Sequence, residues 1–438
     1  MASLGSTMIS TDLSASFWAA AAPPPPPTGR LEGGKDVDVA IVGGGFSGLS
    51  TALHLAESGV ACAVVEADEI GSGASGRNNG QVIPTMSRAD PSAMVAKFGQ
   101  ERGQRFAGLV RDSAETVFDL VRRHDIDCAA EQSGWIQPAH TPGRVAKIAE
   151  RRFKEWQALG APVELLDRQQ TESLLGSDAY CGAWLNRSGG HINPLAFARG
   201  LARAAIGKGA AVFTRSPARS IARLPDGGWQ VRTPAGVLRA GRVVLATNAY
   251  SDDLWPGLKR EVVPVFSFQM ATQPLSDNLR KSLLPGRQAM SDTRSDLHFC
   301  RYTHDHRLVT GAPLLWRGDL DRRLRAHVAA RLQGLFPQLG AVTFDHLWCG
   351  YVGMTADYFP RLHELAPGVA TWIGCNGRGV ALATAMGPEL ARWAGGHARL
   401  DELALPVTPL QPIPAHALAR RLARFMLWMY RRRDAREV

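Results

Sequence analysis

The chain has 438 residues, 45% of them hydrophobic and 21% charged, with 45 glycines; it can bury one large core or two moderate ones, which excludes disorder, collagen and a minimal disulfide scaffold. The longest wholly apolar stretches, such as residues 60–65 and 17–22, fall far short of the ~20 that span a bilayer, and Cys62, Cys128, Cys181, Cys300, Cys349 and Cys375 lie far apart with no C-x-x-C pair, so neither a bridged secreted module nor a zinc site is expected and a reducing cytoplasm fits. The net charge of +10 is scattered apart from one C-terminal segment, and nucleic-acid binding needs clustered Lys and Arg, so no such partner is expected.

Residues 1–17 are polar and lack the basic start of a signal peptide, and Pro23–Pro27 follows as an extended run; residues 1–35 are read as a surface strap. Residues 36–42 form an apolar run bounded by charge, the pattern of a buried parallel strand. The turn after it, Gly43-Gly44-Gly45-Phe46-Ser47-Gly48, satisfies G-x-G-x-x-G, and Leu49–Ser58 continues at helical spacing. Glycine there lets the backbone approach a pyrophosphate whose charge meets the helix N-terminus. A second strand, Val60–Val65, ends in Glu66, 21 residues beyond Gly45, where a carboxylate can accept the ribose hydroxyls of an adenosine. Strand, glycine turn, helix, strand and acid in that order predict a dinucleotide site.

After Ala67–Gly71 comes a second polar, glycine-rich loop, Ser72–Gln81. Its backbone N–H groups and Arg77 can serve the other half of a long cofactor. A nicotinamide enzyme would normally show another strand–helix unit here, so the reading favours FAD.

Farther on, Gly189–Pro194 precedes a predicted helix over 195–205, and 209–213 reads as a strand. Residues 229–233 and 237–239 read as a hairpin, with 243–249 as another buried strand. Strand-like stretches follow at 262–272, 297–303 and 307–311. Alternation puts Arg301 on one face of the middle stretch and His298 with Tyr302 on the other. Arg301 could grip a substrate carboxylate with two N–H bonds or be a partnered or surface arginine, and His191, His298 and His346 read as structural. Residues 369–373 are strand-like, 374–379 a turn and 380–393 helical in composition, which aims a second helix N-terminus at a ligand. The last segment, 420–436, interleaves Arg421, Arg424 and Arg431–Arg433 with Phe425, Met426 and Trp428–Tyr430, a basic amphipathic helix packed by its aromatic face. No G-x-S-x-G elbow is present, which leaves hydrolase chemistry without a signature.

The residues Gly43–Gly48, Glu66 and Gly73–Asn78, together with Ser16-Phe17-Trp18, Trp348–Pro360 and Gly374–Val380, resemble the FAD-dependent oxidoreductases of the D-amino-acid oxidase superfamily, in particular the gamma-glutamylputrescine oxidase and glycine and sarcosine oxidase branch. Many relatives have Ser-Gly-His-Gly where this chain has Asn376-Gly377-Arg378-Gly379. The resemblance implies an α/β fold: a discontinuous Rossmann-type FAD-binding domain (36–88, 189–252 and 343–400) and an α+β substrate domain with a mixed or antiparallel sheet (89–188 and 253–342). A C-terminal basic helix would occupy 401–438. The cofactor contacts it implies are Gly43, Gly45, Phe46, Ser47, Gly48, Glu66 and Ala67. From the second loop come Ala74, Ser75, Gly76, Arg77, Asn78, Gly80 and Gln81, then Val212, and finally Asn376, Gly377, Arg378, Gly379 and Val380 at the flavin end.

The implied activity is oxidation of the C–N bond of a small amine, polyamine conjugate or amino acid with O2 as acceptor. The alternatives are a dehydrogenase serving a quinone or protein partner, or a non-catalytic FAD protein. No catalytic base is assigned, because holding the amine over the flavin is most of what such a reaction asks of a protein. Some sarcosine oxidases of this superfamily attach FAD to a cysteine, but aligned on Thr355 and Asp357 that position falls on Gly350 rather than Cys349, so the flavin is expected to be non-covalent.

Overall fold

The computed structural model describes residues 13–313 and 320–422, with residues 429 and 432. Two eight-stranded sheets organise these residues. The first is built on the strand Gly33–Val42, which pairs in parallel with Cys62–Val65 on one side and Gly236–Leu245 on the other. Ala211–Phe213 and Val369–Ile373 extend the parallel order outward, and Arg361–Ala366 closes one edge antiparallel. Its central residues, Val39–Ile41 and Ala63–Val64, are fully buried, as a parallel sheet covered on both faces requires.

The predicted hairpin and the strand after it prove to be parts of one ladder. Residues 236–245 run as a single strand that carries the hairpin partner Trp229–Arg232 near its start and Val369–Ile373 near its end. At Gly241 in its middle only a backbone oxygen approaches the Cβ position, at 3.6 Å, and the extended chain passes through.

The second sheet runs in the strand order 344–354, 263–272, 308–313, 299–302, 289–291, 135–139, 182–186 and 163–166. All its pairs are antiparallel except Ala289–Ser291 with Trp135–Ala139, so it is mixed. The strand Phe344–Met354, expected with the cofactor domain, pairs along its length with Val263–Thr272 and belongs here instead. A strand of this composition can complete either sheet, and its register with Val263–Thr272 decides which.

The helix Phe46–Glu57 buries nine of its residues and crosses Gly379–Ala394 closely. A Cβ on Gly387 would stand 2.1 Å from Ser50 Oγ, and the Ser50 hydroxyl donates to Thr384 O at 2.9 Å. This contact locks the two glycine turns into one frame. Alternation along Trp135–Ala139 joins the sheets: Trp135 shares a core with Val39, Leu49 and Val380, whereas Ile136 packs with Leu185, Met290 and Phe336. The N-terminal strap bridges the same junction through Phe17 and Trp18, which pack on Leu195, Ala271 and Trp348. Each such fully buried large side chain contributes about 1.5–3 kcal/mol of transfer free energy. Among the described residues no helix is long and apolar enough to cross a membrane. Most of the basic segment 420–436 lies outside them; Leu418, Leu422 and Met429 near or within it are 54%, 48% and 49% exposed.

Candidate cofactor and substrate site

The first glycine turn fits a dinucleotide. Gly43 has φ +114°, a conformation closed to most side chains. A Cβ on Gly48 would lie 2.0 Å from Gly43 O, and one on Gly45 2.8 Å from Ser75 Oγ, so both positions need glycine to seat the helix on its strand. Glu66 is where the pattern placed it: Oε2 accepts from Gly44 N–H at 2.6 Å, and Oε1 from Asp68 N–H at 3.1 Å. Burial pushes its carboxyl above the usual range, and these backbone donors pull it back. The carboxylate is thus fixed at the lip of the turn where an adenosine ribose would sit. Ala67 beside it is exposed, and Val212 is buried on the adjoining strand.

The second loop is held by its own side chains. Ser75 Oγ accepts from Phe46 N–H at 3.0 Å, and Asn78 donates to Ala74 O and Ser75 O while accepting from Gly80 N–H at 2.7 Å. Arg77 Nε donates to Ser72 O at 2.5 Å, and Gln81 Nε2 reaches across to Met290 O at 2.9 Å. Gly76 is buried against Gly71 O and Leu195. The side chains of Asn78 and Gln81 thus tie the loop down. Ser47 Oγ accepts from Trp372 Nε1 at 2.7 Å, joining the first turn to the strand that feeds the second.

In that second turn, Asn376 and Gly377 have φ +50° and +78°. Asn376 Oδ1 accepts from Thr355 N–H at 2.9 Å, its own N–H donates to Gly353 O at 3.1 Å, and Asn248 Oδ1 accepts from Gly374 N–H at 3.0 Å. The helix beginning at Gly379 and Val380 takes Arg378 as its N-cap. Arg378 is 6% exposed, and its one side-chain hydrogen bond among the described residues runs to Gly377 O at 3.4 Å. Burial first, then Arg152, pushes its guanidinium down to about 9.

Arg301 does not do what the sequence allowed. Its Nε donates to Asn79 O at 2.8 Å, Nη1 to Tyr302 O at 2.7 Å and Nη2 to Ile192 O at 2.7 Å, and the Trp18 ring lies 4.5 Å from its Cζ. Each of its three nitrogens thus donates to a carbonyl at 2% exposure, which ties it into the fold as a partnered arginine. Gly80, with φ +77°, makes room for it: a Cβ there would stand 2.3 Å from Arg301 Nη2. His191 Nε2–H donates to Arg287 O at 3.1 Å, and burial holds the ring well below its ordinary value.

Alternation sends Cys349 into the cluster of Phe268, Met270 and Ala312, with its thiol pushed up by burial, and turns Gly350 toward Arg77. Residues the sequence gave no signal for complete the site. Trp135 faces Arg378 with 5.7 Å between ring centroid and Cζ, and Tyr250 packs edge-on against Tyr351 at 5.5 Å. They come from strands and turns more than a hundred residues from their partners, and no local pattern marks them.

The two cradles define a flavin-dependent oxidoreductase. The model of the DAO family, "FAD dependent oxidoreductase", matches residues 38–393, and the chain belongs to that family and uses FAD. It is similar to gamma-glutamylputrescine oxidoreductase of Escherichia coli (strain K12), 33% identical over 90% of this chain and 92% of the relative, and to a probable oxidoreductase, OrdL, of Rhizobium meliloti (strain 1021), 31% identical over 86% and 89%. The crystal structure of glycine oxidase from Geobacillus kaustophilus shares the fold with a TM-score of 0.70 at 23% identity, covering 86% of this chain and 99% of that one.

Proposed function

We propose that the protein oxidises the C–N bond of a small amine, polyamine conjugate or amino acid, using non-covalent FAD and O2, in the cytoplasm. The observation that carries the reading is the similarity to the gamma-glutamylputrescine oxidoreductase, which runs through both the cofactor cradles and the substrate sheet. Glu66 and the backbone of Gly43–Gly48 would hold the adenosine and pyrophosphate, and the turn Asn376–Gly379 the flavin end. When bound, FAD accepts the two electrons of the oxidation as a hydride equivalent. The chain's own part is to position and to desolvate. Trp135, fully buried in the core it shares with Val39 and Val380, would help keep water out, and the N-terminus of Gly379–Ala394 would supply a positive field where negative charge gathers. Cys349, buried on the far face of its strand, supports a flavin held without a covalent bond.

The test is hydrogen peroxide release from a panel of amines and amino acids, with and without an artificial electron acceptor. Peroxide with at least one amine is expected. Turnover only with the artificial acceptor would replace oxidase by dehydrogenase, and no turnover with either would overturn the reading.

A further inference from the structure

Three consecutive carbonyls of the second glycine-rich loop are bonded by side chains from outside it. Trp348 Nε1 donates to Arg77 O at 2.9 Å, Trp18 Nε1 to Asn78 O at 2.8 Å and Arg301 Nε to Asn79 O at 2.8 Å. All three donors are buried and form one stack: the Trp18 and Trp348 rings meet edge-on at 5.6 Å, and Arg301 Cζ lies 4.5 Å from the Trp18 ring. In a planar trans peptide the N–H of each residue points away from the carbonyl of the residue before it. Carbonyls 77–79 turned toward the stack therefore turn the N–H groups of residues 78–80 the other way. The Gly80 N–H meets Asn78 Oδ1 at 2.7 Å, whereas those of Asn78 and Asn79 find no acceptor among the described residues.

Trp348 and Arg301 stand on strands of the second sheet, Phe344–Met354 and Phe299–Tyr302, whose registers fix them. Trp18 comes from the N-terminal strap, on the five-residue helix Phe17–Ala21, which is too short to persist alone in water. Leu195 of the cofactor domain and Ala271 and Val309 of the second sheet seat it, and Arg199 Nη1 fastens the chain beyond it by donating to Pro23 O at 2.7 Å. A buried carbonyl stripped of its donor costs more than the bond itself returns, so the loop keeps its amides aimed only while the strap is seated. We infer that the N-terminal strap is a latch on FAD and that Trp18 is its positioning residue. Trp18 acts through the Asn78 carbonyl, which holds the Asn78 and Asn79 N–H groups toward acceptor atoms of the bound cofactor. The inference needs only that the chain uses FAD and is independent of the reaction proposed above. Such coupling is reciprocal: what the strap does for FAD, FAD does for the strap.

The experiment follows FAD release from the loaded full-length protein by the rise in flavin fluorescence after dilution. Trp18→Phe, which keeps a ring in the cluster and removes the donor, should speed release about tenfold. Phe17→Leu opens the same cluster without touching a loop carbonyl; it should lower the urea midpoint and leave release close to wild type. Unchanged release in Trp18→Phe, or equal acceleration in both variants, would overturn the inference, since the strap would then be packing alone. Wild type supplies a second measurement that no folding failure can spoil. Hydrogen exchange of residues 16–22, referenced to the buried strand Gly182–Asn186, should slow by about fivefold or more when FAD binds. Exchange of the strap indifferent to FAD would equally overturn the latch. A protein that shows both effects but oxidises no amine keeps the latch and loses only the proposed reaction.

Discussion

The two glycine turns share one plan, a strand, a turn and a helix N-terminus, yet they are held differently. The first is closed by its own neighbourhood: Glu66 and Ser75, 22 and 29 residues from the groups they bind, satisfy its N–H groups. The second is held from afar, by Asn248, Gly353 and Thr355, and leaves Arg378 Nε without an acceptor among the described residues. A turn sealed by local bonds suits a group that never changes, the adenosine diphosphate of the cofactor. A turn assembled from distant strands takes its shape only when the whole fold is in place.

The comparison breaks hardest at Gly48. Gly48→Ala places a methyl 2.0 Å from Gly43 O, so the helix must lift from its strand. The expected loss is about 3 kcal/mol or more of stability in urea unfolding, with FAD lost on gel filtration. A stable, FAD-retaining Gly48→Ala would show that the turn is looser than its geometry states.

Glu66→Ala sharpens the same side of the comparison. It should weaken FAD by about 1–3 kcal/mol in a fluorescence titration, with Glu66→Asp intermediate because the carboxylate survives one methylene short. Unchanged affinity in Glu66→Ala would remove the carboxylate from the cofactor site.

Between the turns, His191 sits buried and neutral beside Arg287 and Arg301, with Glu131 3.8 Å away. Its folded value is depressed while the unfolded chain titrates near about 6.5. The stability it contributes is therefore present above that pH and lost as pH falls below it, by up to about 1.4 kcal/mol per unit. The difference between wild type and His191→Gln in urea midpoints at pH 7.5 and 5.5, pH values set by the experimenter on the scale of about 6.5, isolates this effect from the buried carboxyls of Glu66 and Asp292, which act in the opposite sense. The variant should have the shallower acid limb; parallel pH profiles would mean that His191 is charged in the fold.

The smallest effect belongs to Cys349. Acid precipitation should leave the flavin in the supernatant for wild type and for Cys349→Ser alike. Flavin fluorescence staying with the wild-type pellet and lost in Cys349→Ser would mean a covalent link and a wrong register.

The contrast between the turns also explains what could be read from the sequence. Gly43–Gly48 and Glu66 announce themselves because strand, turn, helix, strand and acid follow one another along the chain, and a local pattern suffices. The parallel sheet, the helix Pro194–Gly207 and the strand Val263–Thr272 follow from the same periodicities. The course of Phe344–Met354 did not, since register between strands some eighty residues apart decides its sheet. Arg301 shows the deeper limit. A strand pattern can say that an arginine is buried, but whether its donors are spent depends on carbonyls of Asn79 and Ile192, which the fold brings from elsewhere. The same holds for Trp135, whose pairing with Arg378 joins two domains.

The central claim, that this chain removes two electrons from a C–N bond, is tested most directly without any acceptor. FAD-loaded protein is mixed anaerobically with single amines, amino acids and, as controls, hydroxy acids and NADH, while the flavin band at about 450 nm is followed. The account predicts full bleaching by at least one amine or amino acid and by none of the controls; bleaching by a hydroxy acid or NADH alone would contradict it.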